Sequence, residues 1–435
     1  MKKKKQFILL FCLLGSFFLQ GQVKTWTLEN CIDYALGNDL YLKEVALNQD
    51  FYQQEIKAAY GNLLPNAGIY ADHQYNFGSV IDPTTNSRVS SDIQANSIQF
   101  SSKIDLFNWG NFIKIKSAKL QKEKALYDLE VQKNELIIKI VQAFNHIQFD
   151  KEQLILIQNQ LINTELTLNR IETEVNLGNK PKSDFYEMVA QKTSEEQMRN
   201  QVENSLKISE NRLLNLLQLK EYMEFSSSEL ADLALPAESL DNLYQLGVLN
   251  RPELKSAEIQ KEISEKFIQE KRSHYLPTIS GNYSLSSFYV DTETAALGDQ
   301  FKNNRNHYIG ISLNLPLFNR LQTQTAVQQA KIDWEKANLQ LEQQKQAYFN
   351  ALRDAYTQTQ NAYGRWEAAE LNLEAQEISF AKTEEKFKQG MVDAFAYFAA
   401  KNNLFGAQTA VLQAKYTYHY ENLLLNWYVT NELNP

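Results

Sequence analysis

Four short stretches of the chain alternate strictly between apolar and polar residues. In 69–77, Ile69, Ala71, Tyr75 and Phe77 oppose Tyr70, Asp72, Gln74 and Asn76; in 98–106, Ile98, Phe100, Ile104 and Leu106 oppose Gln99, Ser101, Lys103 and Asp105. In 279–285, Ile279, Tyr283 and Leu285 oppose Ser280, Asn282 and Ser284; in 308–315, Ile309, Ile311, Leu313 and Leu315 oppose Tyr308, Gly310, Ser312 and Asn314. A period of two sorts the residues of a strand onto two faces. Elsewhere the period is helical. Ile140, Phe144, Ile147, Leu154, Ile157, Leu161, Leu168, Ile171 and Val175 step mostly by three, four or seven, with one slip between Leu154 and Ile157. No proline interrupts 110–178 or 317–390. Helices of that length need partners along an apolar seam, so the pattern predicts pairing of coiled-coil type.

The pattern is written twice. Leu276-Pro277 follows Leu64-Pro65 by 212 positions (277 − 65), and "LNRPELKSAEIQ" (249–260) follows "GNDLYLKEVALN" (37–48) by the same 212. "PLFNRL" (316–321) follows "DLFNWG" (105–110) by 211; "QAKIDWEKA" (329–337) and "FKQGMV" (387–392) follow "SAKLQKEKA" (117–125) and "VNLGNK" (175–180) by 212. Five landmarks in step mark a duplicated unit.

Each copy has one order. A first helix, about 28–63 or 252–275, leads into two strands, about 66–80 and 95–107 in the first copy and about 278–290 and 305–317 in the second. A very long helix follows, about 110–178 or 319–390, and after a glycine a helix returns, about 182–219 or 393–428. Thr27 suits an N-cap with Asn30 at the reciprocal position, and Pro252 suits a first helical turn. Gly178 and Gly390 stop the long helices where the chain turns left-handed. At ~1.5 Å per residue the long helices span ~104 and ~108 Å, and the half-length helices of the first copy ~54 and ~57 Å. Two half-length helices end to end therefore match one long helix, and residues 239–248 are placed to supply turns that the second copy lacks. The chain divides into a leader at 1–22, a first repeat at 23–220, a Ser-rich equatorial linker at 221–248, a second repeat at 249–430 and a short tail at 431–435.

The leader changes the picture. Lys2 to Lys5 precede an apolar run from Phe7 to Leu19, the layout of a signal peptide and too short for a spanning helix. Cys12 lacks the preceding small residue of a lipid-attachment site, so the chain is read as exported and not lipidated. No later run of 18 apolar residues exists, so a membrane could be crossed only by strands. Without the four leader lysines, 40 basic residues face 52 acidic ones, which argues against nucleic acid as a partner and against simple adhesion to anionic lipid. Cys31 is then the single cysteine, leaving no internal disulfide.

Alternation alone fits a small half-buried sheet on a soluble domain. Strands of ~10–13 residues with Tyr and Phe near their ends also fit a bilayer. Four strands cannot close a barrel, and open edges are not tolerated in lipid, so insertion requires several chains to pool strands. Three chains give twelve strands, with loops 81–94 and 290–306 outside the cell.

"LLPNAG" and "YLPTIS" closing a helix, "LFNWG" and "PLFNRL" opening one, "AKLQKEKA" and "AKIDWEKA" after it, and the glycine turns resemble the TolC-type outer-membrane efflux protein family over essentially the whole mature chain. The resemblance implies a mostly α chain with a small β part. It implies a long α-helical coiled-coil barrel in the periplasm and a transmembrane β-barrel completed by trimerisation, four strands per chain. It implies a homotrimer in outer-membrane lipid, docked to a periplasmic adaptor and an inner-membrane pump of RND or ABC type, passing drugs, proteins or small molecules without catalysis or cofactor. The turns at Gly178 and Gly390 would form the closed periplasmic tip, and Pro65, Pro277, Asn108 and Asn319 would mark the helix–strand junctions.

One departure stands out. Family members often carry acidic residues six and nine positions after the second-copy glycine; here Ala396 and Ala399 stand there. Asp184 and Glu187 occupy the matching first-copy places, and Asp393 lies three after Gly390. A carboxylate ring must use these or be absent; the plainer reading of Asp184 is a solvated carboxylate at a helix start. His73, His146, His274, His307 and His419 have no metal-site spacing, and His146 falls beside a core position. Glu195-Glu196 and Glu384-Glu385 read as solvated faces. The competing function is a periplasmic adaptor or structural coiled-coil protein outside the membrane.

Overall fold

The computed structural model describes residues 25–82, 85–90, 92–226, 235 and 238–431. The leader at 1–22, residues 227–234 of the linker and the tail beyond Asn431 lie outside the described residues. In chain order the elements are α1 (Leu28–Asn38), α2 (Leu40–Gly61), β1 (Asn66–Asn76), β2 (Ser79–Ile81), β3 (Arg88–Ser90), β4 (Ile93–Phe107), α3 (Trp109–Asn176), α4 (Lys182–Leu216), α5 (Leu240–Gly247), α6 (Pro252–Ser273), β5 (Thr278–Val290), α7 (Leu297–Asn303), β6 (Asn306–Asn314), α8 (Gln322–Lys388) and α9 (Ala394–Thr430). The described residues form two compact units: those up to Lys43, within 130–251 and from Gln346 onward in a helical unit, and those within 44–129 and 252–345 in a unit that carries the strands.

The helical unit is built around the seam read from the sequence. Ile140, Phe144 and Ile147 of α3 pack with Cys31 and Ala35 of α1, Leu213 and Leu214 of α4, and Trp26. The Thr27 side chain accepts a hydrogen bond from the Asn30 amide at 3.3 Å and so caps α1. Asn30 does not reach back to the Thr27 amide; its Nδ2 donates to the Thr27 hydroxyl instead. The single helix expected over 28–63 is broken at Asp39, whose extended backbone (ψ 127°) ends α1. Its carboxylate then accepts from the Leu42 amide at 2.7 Å, capping α2.

The linker is part of this core. Trp26 pairs with Phe225 in a parallel bridge, with the Trp26 amide donating to Glu224 O at 2.8 Å and Ser226 to Trp26 O at 2.9 Å. Phe225 is fully buried against Phe144. Residues 240–247 form α5, capped by Ser239. Gly247 has to be small: a Cβ there would meet the Tyr348 hydroxyl, which donates to Tyr428 O at 2.9 Å.

The other unit centres on one antiparallel sheet in the order β1-β4-β5-β6, with a register shift between Asp105 and Phe107. The strand expected over 66–80 ends at Asn76. Gly78, at φ +97°, turns the chain into a separate two-stranded hairpin, β2-β3. β6 stops at Asn314, short of 317, and the segment before it contains α7. The last long helix begins at Gln322 and not at Asn319, because Arg320 and Leu321 take left-handed conformations (φ 55° and 65°).

The junctions repeat their geometry. At Pro65, the Leu63 and Leu64 amides bond back three residues, to Tyr60 and Gly61 carbonyls. At Pro277, Tyr275 and Leu276 bond to Arg272 and Ser273 in the same way. Each helix thus tightens its last turn and stops before a proline that has no amide hydrogen to continue it. A strand starts at the next residue. Asn108 and Asn319 cap the helices that leave the sheet. Asn108 Oδ1 accepts from the Gly110 amide at 3.1 Å, and Asn319 Oδ1 from Thr323 at 3.5 Å.

Candidate functional site

The pairing register sorts the sheet by face. Phe100 lies opposite Ile69 and Leu285, and Ile98 opposite Ala71. Tyr283 lies opposite Ile309, Gly281 opposite Ile311 and Ile279 opposite Leu313. Residues directly opposite share a face, so these form one apolar surface across four strands. On the other face Lys103 meets Asn66 and Asn282, Ser101 meets Gly68 and Ser284, and Ser280 meets Ser312. The apolar face is bare on the edge strand β6, where Ile309, Ile311 and Leu313 are 81%, 75% and 67% exposed, and half-buried at Phe100, Tyr283 and Leu285 of the central strands. Tyr275, Leu317, Phe318 and Trp109 are also exposed around the junction end. Strands β1 and β6 are hydrogen-bonded on one side only. Among the described residues no helix is long and apolar enough to cross a membrane, and no group of three or more His, Cys, Asp or Glu could hold a metal ion.

The two glycine turns belong to the helical unit, and the structure brings them together. Gly178 (φ +80°) and Gly390 (φ +73°) both take the left-handed conformation that closes a helix. Ile171 and Met188, from the helices flanking Gly178, pack with Phe387, Ala394, Tyr397 and Phe398 from those flanking Gly390. Phe387 and Tyr397 stack at 4.5 Å, and the Lys180 ammonium sits 4.4 Å from the Phe387 ring centre. Asp184 departs from the solvated reading. It is buried in the first turn of α4, with Lys180 Nζ 3.6 Å from its carboxylate. Glu187 is exposed on the next turn. Asp393 caps α9, accepting from the Ala396 amide at 2.9 Å. Ala396 is half-buried and Ala399 exposed, and His146 is exposed.

The Glu195-Glu196 pair was misread in part. Glu196 remains partly exposed beside Lys192, but Glu195 is 0% exposed. Lys401 of α9, 7% exposed, places its ammonium 3.2 Å from Glu195 Oε1. Gln160 and Gln191 donate to the same oxygen at 2.9 and 2.8 Å, and the Thr164 hydroxyl donates to Glu195 Oε2. Lys401 also donates to Gln160 O at 3.3 Å and to the Thr164 hydroxyl. Burial lowers the Lys401 pKa, and the facing Glu195 opposes that shift. One charge pair thus ties α3, α4 and α9 together. The sequence held a signal for it. Glu195 stands seven after buried Met188, and Lys401 stands four after Tyr397 and three after Phe398, each a charge on an apolar stripe.

Long paired helices, glycine turns and a four-stranded sheet with a bare apolar face make up the fold of TolC-type outer-membrane channels. The CusC crystal structure superposes with a TM-score of 0.80 at 17% identity, covering 95% of each chain. The Campylobacter jejuni CmeC outer membrane channel gives 0.76 at 16%, covering 92% of this chain and 85% of that one. Residues 31–218 and 243–425 match the model of the outer membrane efflux protein family, and the chain belongs to that family. The proteases secretion protein PrtF of Dickeya chrysanthemi is 20% identical over 413 residues, 92% of this chain and 86% of the relative. The outer membrane protein TolC of Vibrio cholerae is 21% identical over 421 residues, 95% and 93%. The protein is therefore an outer membrane efflux protein, and the adaptor alternative falls.

Proposed function

We propose that three copies pool their sheets into a twelve-stranded barrel in the outer membrane, and that the helices form a periplasmic duct receiving substrate from an adaptor and an inner-membrane pump of RND or ABC type. The observation that carries this reading is the sheet: one exposed apolar face, one polar face, and two edges with unpaired backbone groups. Lipid satisfies the apolar face but leaves the edges unpaired, so β1 of one copy must meet β6 of the next. Two copies would give eight strands, whose interior side chains fill; twelve leave an aqueous lumen lined by the polar face. The duct performs no chemistry; the pump supplies the energy.

In this reading the turns at Gly178 and Gly390 form the periplasmic end that opens and closes. Asp184 is neutralised by Lys180 and acts as a strut, leaving Glu187 and Asp393 as the carboxylates available to a passing cation. The test is mass and conductance together. The purified protein should have three times the chain mass and form channels in planar bilayers. A non-conducting monomer would refute the proposal. Asp184→Ala should leave cation selectivity unchanged, whereas Glu187→Gln with Asp393→Asn should reduce it.

A further inference from the structure

At the end of the sheet away from the junctions, the segment joining β5 to β6 folds back over the apolar face. Gln300 holds it there. Its Oε1 accepts from the Val290 amide at 2.9 Å, and its Nε2 donates to Val290 O at 3.0 Å and Ala295 O at 2.9 Å. The Ser287 hydroxyl donates to Phe301 O at 2.7 Å, and Asn304 Nδ2 to Phe288 O at 3.1 Å. These bonds set the Phe301 ring over the strands. Beneath it Ile69, Ile98, Phe100 and Leu285, from three strands, complete an apolar groove of about 410 Å³ with Arg305 at its rim. Arg305 Nε donates to Lys302 O at 2.9 Å, and both side chains are exposed. No ion pair joins either cation to a carboxylate among the described residues.

The height of these cations is informative. Asn306, next to Arg305, pairs with Ser286, eight residues along β5 from Thr278. At ~3.4 Å per residue that is ~27 Å of strand, or ~20 Å of height at a tilt of ~40°. The apolar band of an outer-membrane barrel is ~25 Å tall. Arg305 and Lys302 therefore stand near the level where hydrocarbon gives way to headgroups on the outer side, directly above an apolar groove.

We propose that this groove binds a phosphorylated glycolipid of the outer leaflet, with an acyl chain against Phe100 and Phe301 and a headgroup phosphate on Arg305 and Lys302. Guanidinium and phosphate match in a bidentate geometry, and two unpaired cations attract the phosphates of such a headgroup. The groove lies on the face of the sheet, whereas neighbouring copies join at its edges, so assembly leaves it open to lipid. Its volume is within the ~300–1,000 Å³ of ligand sites. The inference rests on insertion of the sheet as proposed above.

The test uses the full-length protein in detergent, with native mass spectrometry and thermal unfolding in the presence of bisphosphorylated lipid A, dephosphorylated lipid A or phosphatidylglycerol. Bisphosphorylated lipid A should remain bound and raise the melting temperature; the other two should bind more weakly. Arg305→Gln with Lys302→Gln should weaken lipid A binding about tenfold or more, the loss of at least one charged contact, with conductance unchanged. Phe301→Ala should also weaken it. Equal binding by wild type and the double variant would overturn the proposal, and so would equal binding of phosphatidylglycerol. A wild-type protein that conducts in bilayers yet ignores lipid A sinks this inference alone; one that never conducts sinks the membrane reading beneath it.

Discussion

In the helical unit a carboxylate and an ammonium, Glu195 and Lys401, are buried; in the sheet unit Ile309, Ile311 and Leu313 stand almost bare. A water-soluble chain would do the reverse in both places. The difference shows that each unit obeys a different requirement. Glu195 and Lys401 are buried together, their oxygens and hydrogens taken up by Thr164, Gln160 and Gln191, so the charges remain compensated without water. The bare isoleucines have no such internal solution. In the proposed barrel, lipid outside the chain covers them.

The largest effect is expected at the buried charge pair. Glu195→Ala strands the Lys401 ammonium and should cost about 3–5 kcal/mol, read as a lowered unfolding midpoint. The double variant Glu195→Leu with Lys401→Met removes both charges and should recover most of that loss. If it is as unstable as Glu195→Ala, the pair is not what compensates Glu195. On the bare side, Ile311→Arg should cost about 2–4 kcal/mol of membrane assembly, whereas Ser312→Arg, on the opposite face, should assemble and change conductance. Equal tolerance of both would erase the distinction between the faces.

Smaller effects sharpen the picture of the helical unit. Gly178→Ala forces a side chain into φ +80° and should cost about 1–2 kcal/mol, although no neighbour crowds the site. Cys31 is buried, and burial pushes its thiol from 9.0 up to about 12. Between those values the unfolded chain gives up a proton that the folded chain keeps, so stability should fall as pH rises across that range. A Cys31→Ala variant should lose less stability over the same interval. The folded wild type should also resist alkylation at pH 8, reacting only after unfolding.

Much of this was legible in the sequence because periodicity reports what each element faces. Alternation over 279–285 and 308–315 separated the two strand faces without reference to their solvent, and the glycines at 178 and 390 announced left-handed turns. Features set by single contacts were less legible. The break at Asp39 depends on one extended residue whose carboxylate caps the next turn, and the β2-β3 hairpin on Gly78. The late start of α8 follows from left-handed Arg320 and Leu321, which no composition rule favours. Glu195 was misread because charged residues on a long helix usually face water; its spacing from Met188 was visible, but its partner lies on another helix 206 positions away. Asp184 was misjudged in the same way, its partner Lys180 lying just across the turn.

The central claim, that the alternating strands present their apolar face to lipid, is tested most directly by spin labels on adjacent residues of β6. With Cys31 shielded, labels at Ile311→Cys and Ser312→Cys can be compared in the reconstituted protein for collision with oxygen, which concentrates in lipid, and with a water-soluble nickel chelate. The label at 311 should respond to oxygen and that at 312 to the chelate, the preference alternating along the strand. Chelate access at both positions, without alternation, would contradict it.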